Sequence, residues 1–447
     1  MLPPGPRSPA FWQTYRFVTA PEVFVDDLRA RYGDVVGVKS LVGRGVAVLD
    51  AGLAREVFAA PPETFTVVSL FEALFGPHSV IAVSGAAHKK LRKLLNPQFH
   101  GAQVKGFLAA MQRAIRRNLD DAFDAAAKSG EVVRLTDVTQ AMALDVIIET
   151  VFGAAPVDRD AARAALRGIT HGFSPMLAVG TALHERWFPP WRRFTRVRDA
   201  FDRFVYGAIA DRRARAAAGD ARDDVLGVLL GARYEDGSPM TDVEVRDQLV
   251  TLLLAGHETS ATAMAWCLYF LLRHPSALAR LRADVDALGE APAPEALTKV
   301  RYLDAVVSET LRIEPIVTDV VRICREPFTL GGRWELPKGG IVAVFLMSIL
   351  RDARVFADPH AFKPERFLEK KFSASEFLPF GGGARRCLGA AFAEAELAIA
   401  VAEIVSGWEL SLADSAPERS VRRNLTMGPK RGVRVRVNGR RGARERA

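Results

Sequence analysis

The sequence predicts one domain, residues 1–447, that is mostly α-helical with a smaller β portion. Residues 86–313 have mostly helical patterning and are rich in Ala, Leu and Arg, whereas residues 34–50 and 328–347 alternate and turn as short strands do. No internal repeat or low-complexity linker divides the chain. A single mixed domain is therefore the economical interpretation, although the length alone nominally fits about two to four domains.

The charge of the chain does not indicate a nucleic-acid partner. The formal net charge is +9, but basic residues are spread over amphipathic segments beside acids and do not alternate with aromatic residues. Two local exceptions are residues 88–93 and the C-terminal tail from residue 431. The tail is interpreted as a solvated chain end, and the first cluster as a surface for an acidic protein partner.

The three cysteines, Cys267, Cys324 and Cys387, are too few and too scattered for a disulfide framework or a CxxC zinc site. The N-terminus lacks the charged and apolar regions of a signal peptide. The longest apolar runs are split by His257 and Glu258 and are too short to span a membrane. We therefore expect a monomeric cytoplasmic protein with no membrane anchor.

Turn and helix signals organise the rest of the chain. Residues 168–191 are interrupted by Gly and Pro, which predicts a helix, a loop and a second helix start that together form a mobile cover. Strand patterns resume after Pro315, with turns at Gly331–Gly332 and at Pro337–Gly340. A helix over residues 388–405 and further short strands end the chain.

The longest predicted helix begins at Thr241, which forms a capping box with Glu244, and ends before Pro275. At 1.5 Å per residue it measures about 45 Å, enough to cross a domain. Gly256 in its middle costs about 1 kcal/mol relative to Ala. A residue that weakens the helix at this point requires an explanation.

The residues around Gly256 suggest why a glycine is used at this position. Thr259 is placed to donate its hydroxyl to the carbonyl of Ala255, and one small, nearly flat face is shared by Leu252, Ala255, Thr259 and Ala263. With the carboxylate of Glu258 beside it, this face suits a planar ligand. The alternative is a small-residue contact between helices, with Glu258 at the surface.

The segment "FGGGARRCLG", residues 380–389, places one cysteine among glycines and arginines. A run of glycines is kept where the backbone bends sharply or another group comes close. Arg385, Arg386 and the start of the following helix all favour the thiolate of Cys387. Such a thiolate is a nucleophile or a metal ligand.

Three other patterns are weak when each is considered alone. Glu309 and Arg312 lie three residues apart and meet on one helix face, as surface ion pairs commonly do. Arg366 lies in the turn-like segment "KPERF". His88 and Arg92 share one face of a basic helix, where a solvated surface is the simpler interpretation.

A further basic residue, Arg322, lies within an apolar strand-like run and requires an anionic partner there.

Taken together, these motifs resemble the cytochrome P-450 family of haem-thiolate monooxygenases over nearly the whole chain. The pattern F-x-x-G-x-R-x-C-x-G is met by Phe380, Gly383, Arg385, Cys387 and Gly389. The ExxR pair, the PERF turn and the acid–alcohol pair of the long helix agree with the family in order and spacing.

The resemblance implies a cytochrome P-450 fold with haem b between the long central helix and the helix that follows the cysteine. Cys387 would be the iron ligand. Glu309, Arg312 and Arg366 would brace the cysteine loop, and His88, where the family often has Trp, would join three arginines at the haem propionates. The cofactor-binding residues implied are His88, Arg92, Ala255, Gly256, Arg322, Phe380, Arg385, Cys387 and Gly389.

The activity implied is insertion of one atom of O2 into a C–H bond of a hydrophobic small molecule, with Glu258 and Thr259 as the catalytic proton relay. The sequence has no flavin or iron–sulfur motif. The electrons, ultimately from NAD(P)H, would therefore come through a ferredoxin or flavodoxin and its reductase. Lys89, Lys90 and Lys93, near Arg386, form the expected docking surface.

The segments that match the family's substrate-facing regions are apolar, which fits a fatty acid, a terpenoid or a steroid. Thr318 and Asp319 either meet a polar group of the substrate or satisfy the local backbone or Arg322. Asp319 disfavours a carboxylate and so favours neutral ligands. The expected pocket residues are Phe71, Leu74, Phe75, Phe173, Met176, Leu177, Ile316, Val317, Thr318 and Asp319.

The sequence gives less support to three other functions that a haem protein could have. A peroxide-driven hydroxylase or a haem-thiolate isomerase would not need the acid–alcohol pair, which is intact here. A non-catalytic haem carrier or sensor would show no sustained turnover with a redox partner.

Overall fold

The computed structural model describes residues 2–41, 43–68, 70–153, 159–172, 189–219 and 224–441. Helices dominate, as predicted. They are α1 Ala10–Thr19, α2 Pro21–Tyr32, α3 Ala51–Ala59, α4 Leu70–Phe75, α5 Gly85–Leu95, α6 Ala102–Ser129, α7 Leu135–Phe152, α8 Arg159–Gly172, α9 Pro189–Ala217, α10 Val225–Gly231, α11 Asp242–Arg273, α12 Pro275–Asp286, α13 Pro294–Leu297, α14 Arg301–Ile313, α15 Leu346–Leu350, α16 Arg366–Glu369 and α17 Ala390–Gly407.

The strands form four small sheets that lie beside the helices. Their bounds are β1 Val35–Ser40, β2 Gly43–Val48, β3 Phe65–Thr66, β4 Val132–Arg134, β5 Val320–Cys324, β6 Phe328–Leu330, β7 Trp334–Leu336, β8 Ile341–Val344, β9 Trp408–Leu412, β10 Ser420–Arg423, β11 Thr426–Pro429 and β12 Arg434–Arg440. The largest sheet has the order β1-β2-β8-β5-β3, in which β2 and β8 run parallel. The smaller sheets are β4-β12-β9, β10-β11 and β6-β7.

The predicted strands at residues 34–50 are confirmed as the antiparallel pair β1 and β2. The turn predicted at Gly331–Gly332 joins β6 to β7, and both glycines have positive φ (59° and 62°), which explains their use there. The predicted cover at residues 168–191 is described only as far as Gly172 and again from Pro189. Its middle lies outside the described residues.

The long central helix α11 begins with the predicted capping box, in which Thr241 and Glu244 exchange hydrogen bonds. It packs against α7, α14 and α17, and most of its residues are buried in the main apolar core. No helix in the described ranges is both long and apolar enough to cross a bilayer.

Candidate functional site

The cysteine loop passes close to α3 because its glycines leave room. A Cβ atom on Gly383 would lie 2.0 Å from the Phe58 carbonyl oxygen, and one on Gly382 would lie 2.7 Å from the Phe58 ring. Gly383 also has φ 65°, a conformation that other residues rarely adopt. The loop is closed by the Cys387 N–H, which donates to the Phe380 carbonyl at 2.9 Å. The glycine run therefore serves a close approach, as predicted.

The Cys387 side chain is accessible to solvent, although protein atoms surround it densely. This burial raises the pKa of the thiol, while the Gly389 N–H, Arg386 and Arg92 act to lower the same pKa. The helix start and the arginines thus act in the predicted direction, but in the cofactor-free protein burial outweighs them. A bound metal ion deprotonates a coordinating thiol directly.

Four basic side chains lie close to one another near Cys387. Arg385 donates to the Ile81 and Val83 carbonyls and to the Ser84 hydroxyl. Arg92 donates to the Arg386 carbonyl at 2.9 Å, but its buried Nε has no hydrogen-bond partner.

The other two members of this cation cluster are Arg322 and His88. The Arg322 side chain donates to the Val321 carbonyl at 3.0 Å, and His88 is only 3% exposed. Among the described residues, the hydrogen-bond partners recorded for the three arginines include no carboxylate.

The cation cluster is electrostatically uncompensated. Burial and then Arg385, Arg92 and Arg322 lower the pKa of His88 from 6.5 to about 3. Burial and a neighbouring arginine also lower the pKa values of Arg322 and Arg385 to about 10. Buried cations are normally paired with anions. The residues therefore fit a ligand that carries two carboxylates, as haem does.

The small face of the central helix is only partly covered. Leu252, Ala255 and Thr259 are half-buried in the middle of an otherwise buried helix, as is Gly256, whereas Ala263 is buried. The Thr259 hydroxyl donates to the Ala255 carbonyl at 2.7 Å, as predicted. A Cβ on Gly256 would lie 3.3 Å from the Ile147 side chain, so glycine also permits tight packing on α7.

The carboxylate of Glu258 has a hydrogen-bond partner that the sequence did not predict. The Thr426 hydroxyl, on β11, lies 3.4 Å from a Glu258 carboxylate oxygen. The backbone carbonyl of Glu258 accepts from the Thr262 hydroxyl at 2.8 Å. Thr426 is nearly buried, so the β10-β11 hairpin covers this part of α11.

The ExxR pair is fully buried rather than a surface ion pair. Arg312 donates twice to Glu309, at 2.7 and 2.9 Å, and Arg366 donates to the same carboxylate at 3.0 Å. Both Glu309 and Arg312 have zero exposure. The remaining guanidinium hydrogens of Arg312 reach the Leu350 and Pro359 carbonyls. The network thus joins α14 to the segment before the cysteine loop.

The expected pocket residues fall into three groups. On α4, Leu74 and Phe75 are buried and Phe71 lies with its ring centroid 6.2 Å from that of Phe75. Ile316 is buried and its carbonyl accepts from the Met427 N–H, whereas Val317 is exposed. Outside the described residues lie Phe173, Met176 and Leu177.

Asp319 has a different partner from the one expected. Thr318 donates to Asp319 at 2.8 Å, and the nearest recorded cation is Arg422, 3.9 Å away, rather than Arg322. Burial raises the pKa of Asp319, and Arg422 opposes that rise. Nε and Nη2 of Arg422 are buried without a hydrogen-bond partner. The site therefore includes a basic group that the sequence did not indicate.

The lysines of α5 are exposed, but two are already paired. Lys90 lies 3.5 Å from Asp236 and 4.0 Å from the centre of the Tyr234 ring, and Lys93 forms an ion pair with Glu235. These partners belong to the tight turn at residues 234–238. No sequence pattern linked this turn to α5.

Sequence reasoning also missed Glu396, a carboxyl on α17 that is 2% exposed. Burial raises its pKa to about 8, and Ser260 of the central helix partly offsets that rise. The available signal was an acidic residue inside an otherwise apolar, buried helix.

Comparison with known proteins identifies the family. The family model described as Cytochrome P450 matches residues 3–435. Cytochrome P450 137 of Mycobacterium tuberculosis is 36% identical over 416 residues, covering 91% of this chain and 83% of that protein. Cytochrome P450 135B1 of Mycobacterium bovis is 35% identical over 98% of this chain and 91% of its own length.

Solved structures agree on the fold. Retinoic acid-bound cyanobacterial CYP120A1 superposes with a TM-score of 0.84 at 24% identity, over 98% of this chain and 99% of that one. The haem domain of cytochrome P450DA gives a TM-score of 0.85 at 23% identity, over 98% of both chains. The chain therefore belongs to the cytochrome P450 family and is a haem-dependent P450 monooxygenase.

Proposed function

We propose that this monooxygenase, a single domain over residues 1–447, hydroxylates a hydrophobic small molecule: a fatty acid, a terpenoid or a steroid. The overall reaction would be R–H + O2 + 2 e⁻ + 2 H⁺ → R–OH + H2O. The observation that carries the proposal is the uncompensated cation cluster beside the accessible thiol of Cys387.

The cofactor would be held at both its centre and its edge. Cys387 would ligate the haem iron, and His88, Arg92, Arg322 and Arg385 would bind the two propionates. A bound haem with a thiolate ligand supplies oxygen activation, because the thiolate favours O–O cleavage. The buried hydrogen-bond network of Glu309 would hold the cysteine loop in position.

Proton delivery is assigned to Glu258 and Thr259. The Thr259 hydroxyl lies on the half-buried face of α11, where it now donates to Ala255. By turning outward it would donate into the reaction space, and Glu258 would resupply its proton through water. The Thr426 hydroxyl beside Glu258 would orient that carboxylate.

Electrons would reach the site from a ferredoxin or flavodoxin and its reductase, and ultimately from NAD(P)H. Lys89 and Arg386 are the exposed cations of the expected docking surface for which no ion pair is recorded among the described residues. An acidic partner would therefore contact these two first. The enzyme is proposed to act as a monomer in the cytoplasm.

The argument against carboxylate substrates weakens once Arg422 is considered. Asp319 has this arginine 3.9 Å away as a counter-cation, and burial raises the pKa of Asp319 while Arg422 opposes that rise. Nε of Arg422 is buried without a hydrogen-bond partner and suits a carboxylate. Both fatty acids and neutral ligands therefore fit the apolar surroundings formed by Ile316 and α4.

The test is an optical spin-state titration of the haem-loaded protein with a long-chain fatty acid and, separately, with a steroid or sesquiterpene. We expect at least one ligand class to shift the spectrum. If the fatty acid alone does so, Arg422→Gln should weaken its binding while leaving haem content unchanged. Failure of every apolar ligand to shift the spectrum would contradict the proposed substrate class.

The proton relay has its own test. Thr259→Ala should leave substrate binding intact but divert reducing equivalents to hydrogen peroxide, because the hydroxyl that positions the proton is gone. Thr262→Ala is the matched control, since its hydroxyl serves the Glu258 backbone carbonyl. Equal coupling of NAD(P)H oxidation to product in wild type and Thr259→Ala would contradict the assignment.

A further inference from the structure

The exposed apolar side chains are concentrated at one end of the chain. Of the twelve large apolar residues that are exposed in the described ranges, seven lie within residues 2–41. The most prominent are Phe11, Trp12 and Tyr15, which are 63%, 50% and 49% exposed. A monomeric protein rarely exposes such a group without a function for it.

Three of these side chains contact one another directly. The Tyr15 ring stacks on both Trp12 and Phe11, with centroids 5.4 and 6.4 Å apart. Leu41, 54% exposed at the tip of the β1-β2 hairpin, is joined to the same helix because its N–H donates to the Thr14 hydroxyl at 3.1 Å. We call Phe11, Trp12, Tyr15 and Leu41 the aromatic patch.

A buried glutamine fixes the aromatic patch in place. The side chain of Gln13, 2% exposed, donates to the Pro6 and Ser8 carbonyls and accepts from the Lys39 N–H at 3.0 Å. It therefore ties the N-terminal segment, α1 and the hairpin to each other. The patch is pre-formed, so little order has to be gained when it binds.

The two chain segments that carry the aromatic patch contain cations and no acid. Residues 1–21 contain Arg7 and Arg16 and no acid, and residues 35–48 contain Lys39 and Arg44 and no acid. Arg16 is engaged by Asp27 at 2.6 Å. Lys39 and Arg44 are register partners in the β1-β2 hairpin, and with Arg7 we call them the basic rim, which is complementary to an anionic surface.

We propose that the aromatic patch and its basic rim dock the enzyme on the headgroup region of a lipid bilayer that contains anionic lipids. Trp and Tyr side chains favour that region because one end of each is apolar and the other polar. A short helix with an aromatic face and cationic neighbours lies in the plane of the interface. A second copy of this chain is disfavoured as occupant, because a two-fold contact would oppose identical basic rims.

The patch is linked structurally to the substrate region. On the far side of α1, Phe17 packs its ring against the Arg422 guanidinium, 4.6 Å away, and Arg422 belongs to the hairpin that covers Glu258. Docking would bring this region close to apolar compounds dissolved in the bilayer. This use of the surface, but not lipid binding itself, rests on the proposed function.

The test is co-sedimentation of the haem-loaded full chain with vesicles of phosphatidylcholine alone and of phosphatidylcholine mixed equally with phosphatidylglycerol. We expect binding to the mixed vesicles that weakens as salt is raised. The double variant Phe11→Ser with Trp12→Ser should bind about tenfold more weakly, because it loses most of the buried apolar area. Lys39→Glu with Arg44→Glu should lose the preference for anionic lipid.

The matched control is Tyr206→Ser with Leu288→Ser, which removes two side chains of 38% and 39% exposure elsewhere. It should bind vesicles as the wild type does. Absence of wild-type binding, or equal binding by the aromatic variant, would overturn the proposal, as would a dimer in light scattering that the aromatic variant abolishes. The spin-state titration in lipid-free solution reports separately on the proposed function, so the two fail independently.

Discussion

The protein contains two groups of buried charges, the Glu309 network and the cation cluster, and they differ in one respect. The Glu309 network is closed: its carboxylate accepts from Arg312, Arg366 and the Lys363 N–H, and backbone carbonyls take the remaining hydrogens of Arg312. Within the described part of the chain the cation cluster has no such anion, and its members lower one another's pKa values.

This comparison distinguishes buried charges that stabilise the fold from buried charges that bind a ligand. A buried charge whose partner is supplied by the same chain stabilises the fold only if every hydrogen bond is satisfied, and its loss damages folding. A buried charge without a partner weakens the protein alone and is kept because a ligand supplies the partner. Removing members of the two groups should therefore have opposite effects on the cofactor-free protein.

The largest effect is expected for Glu309→Gln. This variant leaves Arg312 and Arg366 buried without an anion, which should cost about 3–5 kcal/mol of unfolding free energy. Urea unfolding of the cofactor-free protein measures it. In Glu365→Gln, the lost carboxylate is 45% exposed and pairs with Arg280, so the change should stay below about 1 kcal/mol. Equal effects of the two variants would show that burial does not decide the outcome.

The next effect is expected for Arg322→Gln, whose guanidinium donates to the neighbouring Val321 carbonyl. Haem affinity should fall roughly tenfold or more, since a charge-assisted hydrogen bond to a propionate is lost. The unfolding free energy of the cofactor-free protein should stay the same or rise, because one repelling cation is removed. A stability loss like that of Glu309→Gln would contradict the distinction.

His88 gives the comparison a pH dependence. Its pKa in the folded, cofactor-free protein is about 3, below its ordinary value of 6.5, so the unfolded chain takes up a proton first as pH falls. The contribution of His88 to the unfolding free energy should be fully present above pH 6.5 and should be lost as the pH falls toward 3. His88→Gln should flatten this part of the melting-temperature profile, and so should haem, whose propionates would raise the pKa. An unchanged profile in the variant would assign the decline to other groups.

The smallest effect concerns the charges on the rim of the site. In Glu235→Gln with Asp236→Asn, Lys93 and Lys90 lose exposed partners. Stability should hardly change, because exposed ion pairs contribute little. Reduction by an acidic ferredoxin should become faster at low salt, as the lysines are released for docking. Lys89→Glu is the opposing variant and should slow reduction; the same rate in all three proteins would exclude α5 from the docking surface.

Local patterns predicted much of this molecule. The capping box at Thr241, the strands at residues 34–50 and the glycine loop before Cys387 depend on neighbouring residues, and the structure has all three. The membership of the cation cluster followed from the family resemblance. The sequence did not predict that the described residues supply no anion to this cluster, because that depends on every segment packed around it.

The contacts that were missed join distant parts of the chain. The Thr426 hydroxyl reaches Glu258 across 168 positions, and Lys93 meets Glu235 across 142. Arg422 replaces Arg322 as the partner of Asp319 because the β10-β11 hairpin folds over that segment. Thiol burial at Cys387 outweighed its local charges for the same reason. Such pairings are set by tertiary packing, which one sequence does not display.

The central claim is that the cation cluster binds the two carboxylates of haem. The most direct test compares the affinity of the protein for haem with its affinity for haem dimethyl ester. Both are titrated into the cofactor-free wild type and into Arg322→Gln. The account predicts that the wild type binds haem much more tightly than the ester and that the variant narrows this difference. Equal affinity of the wild type for the two compounds would contradict it.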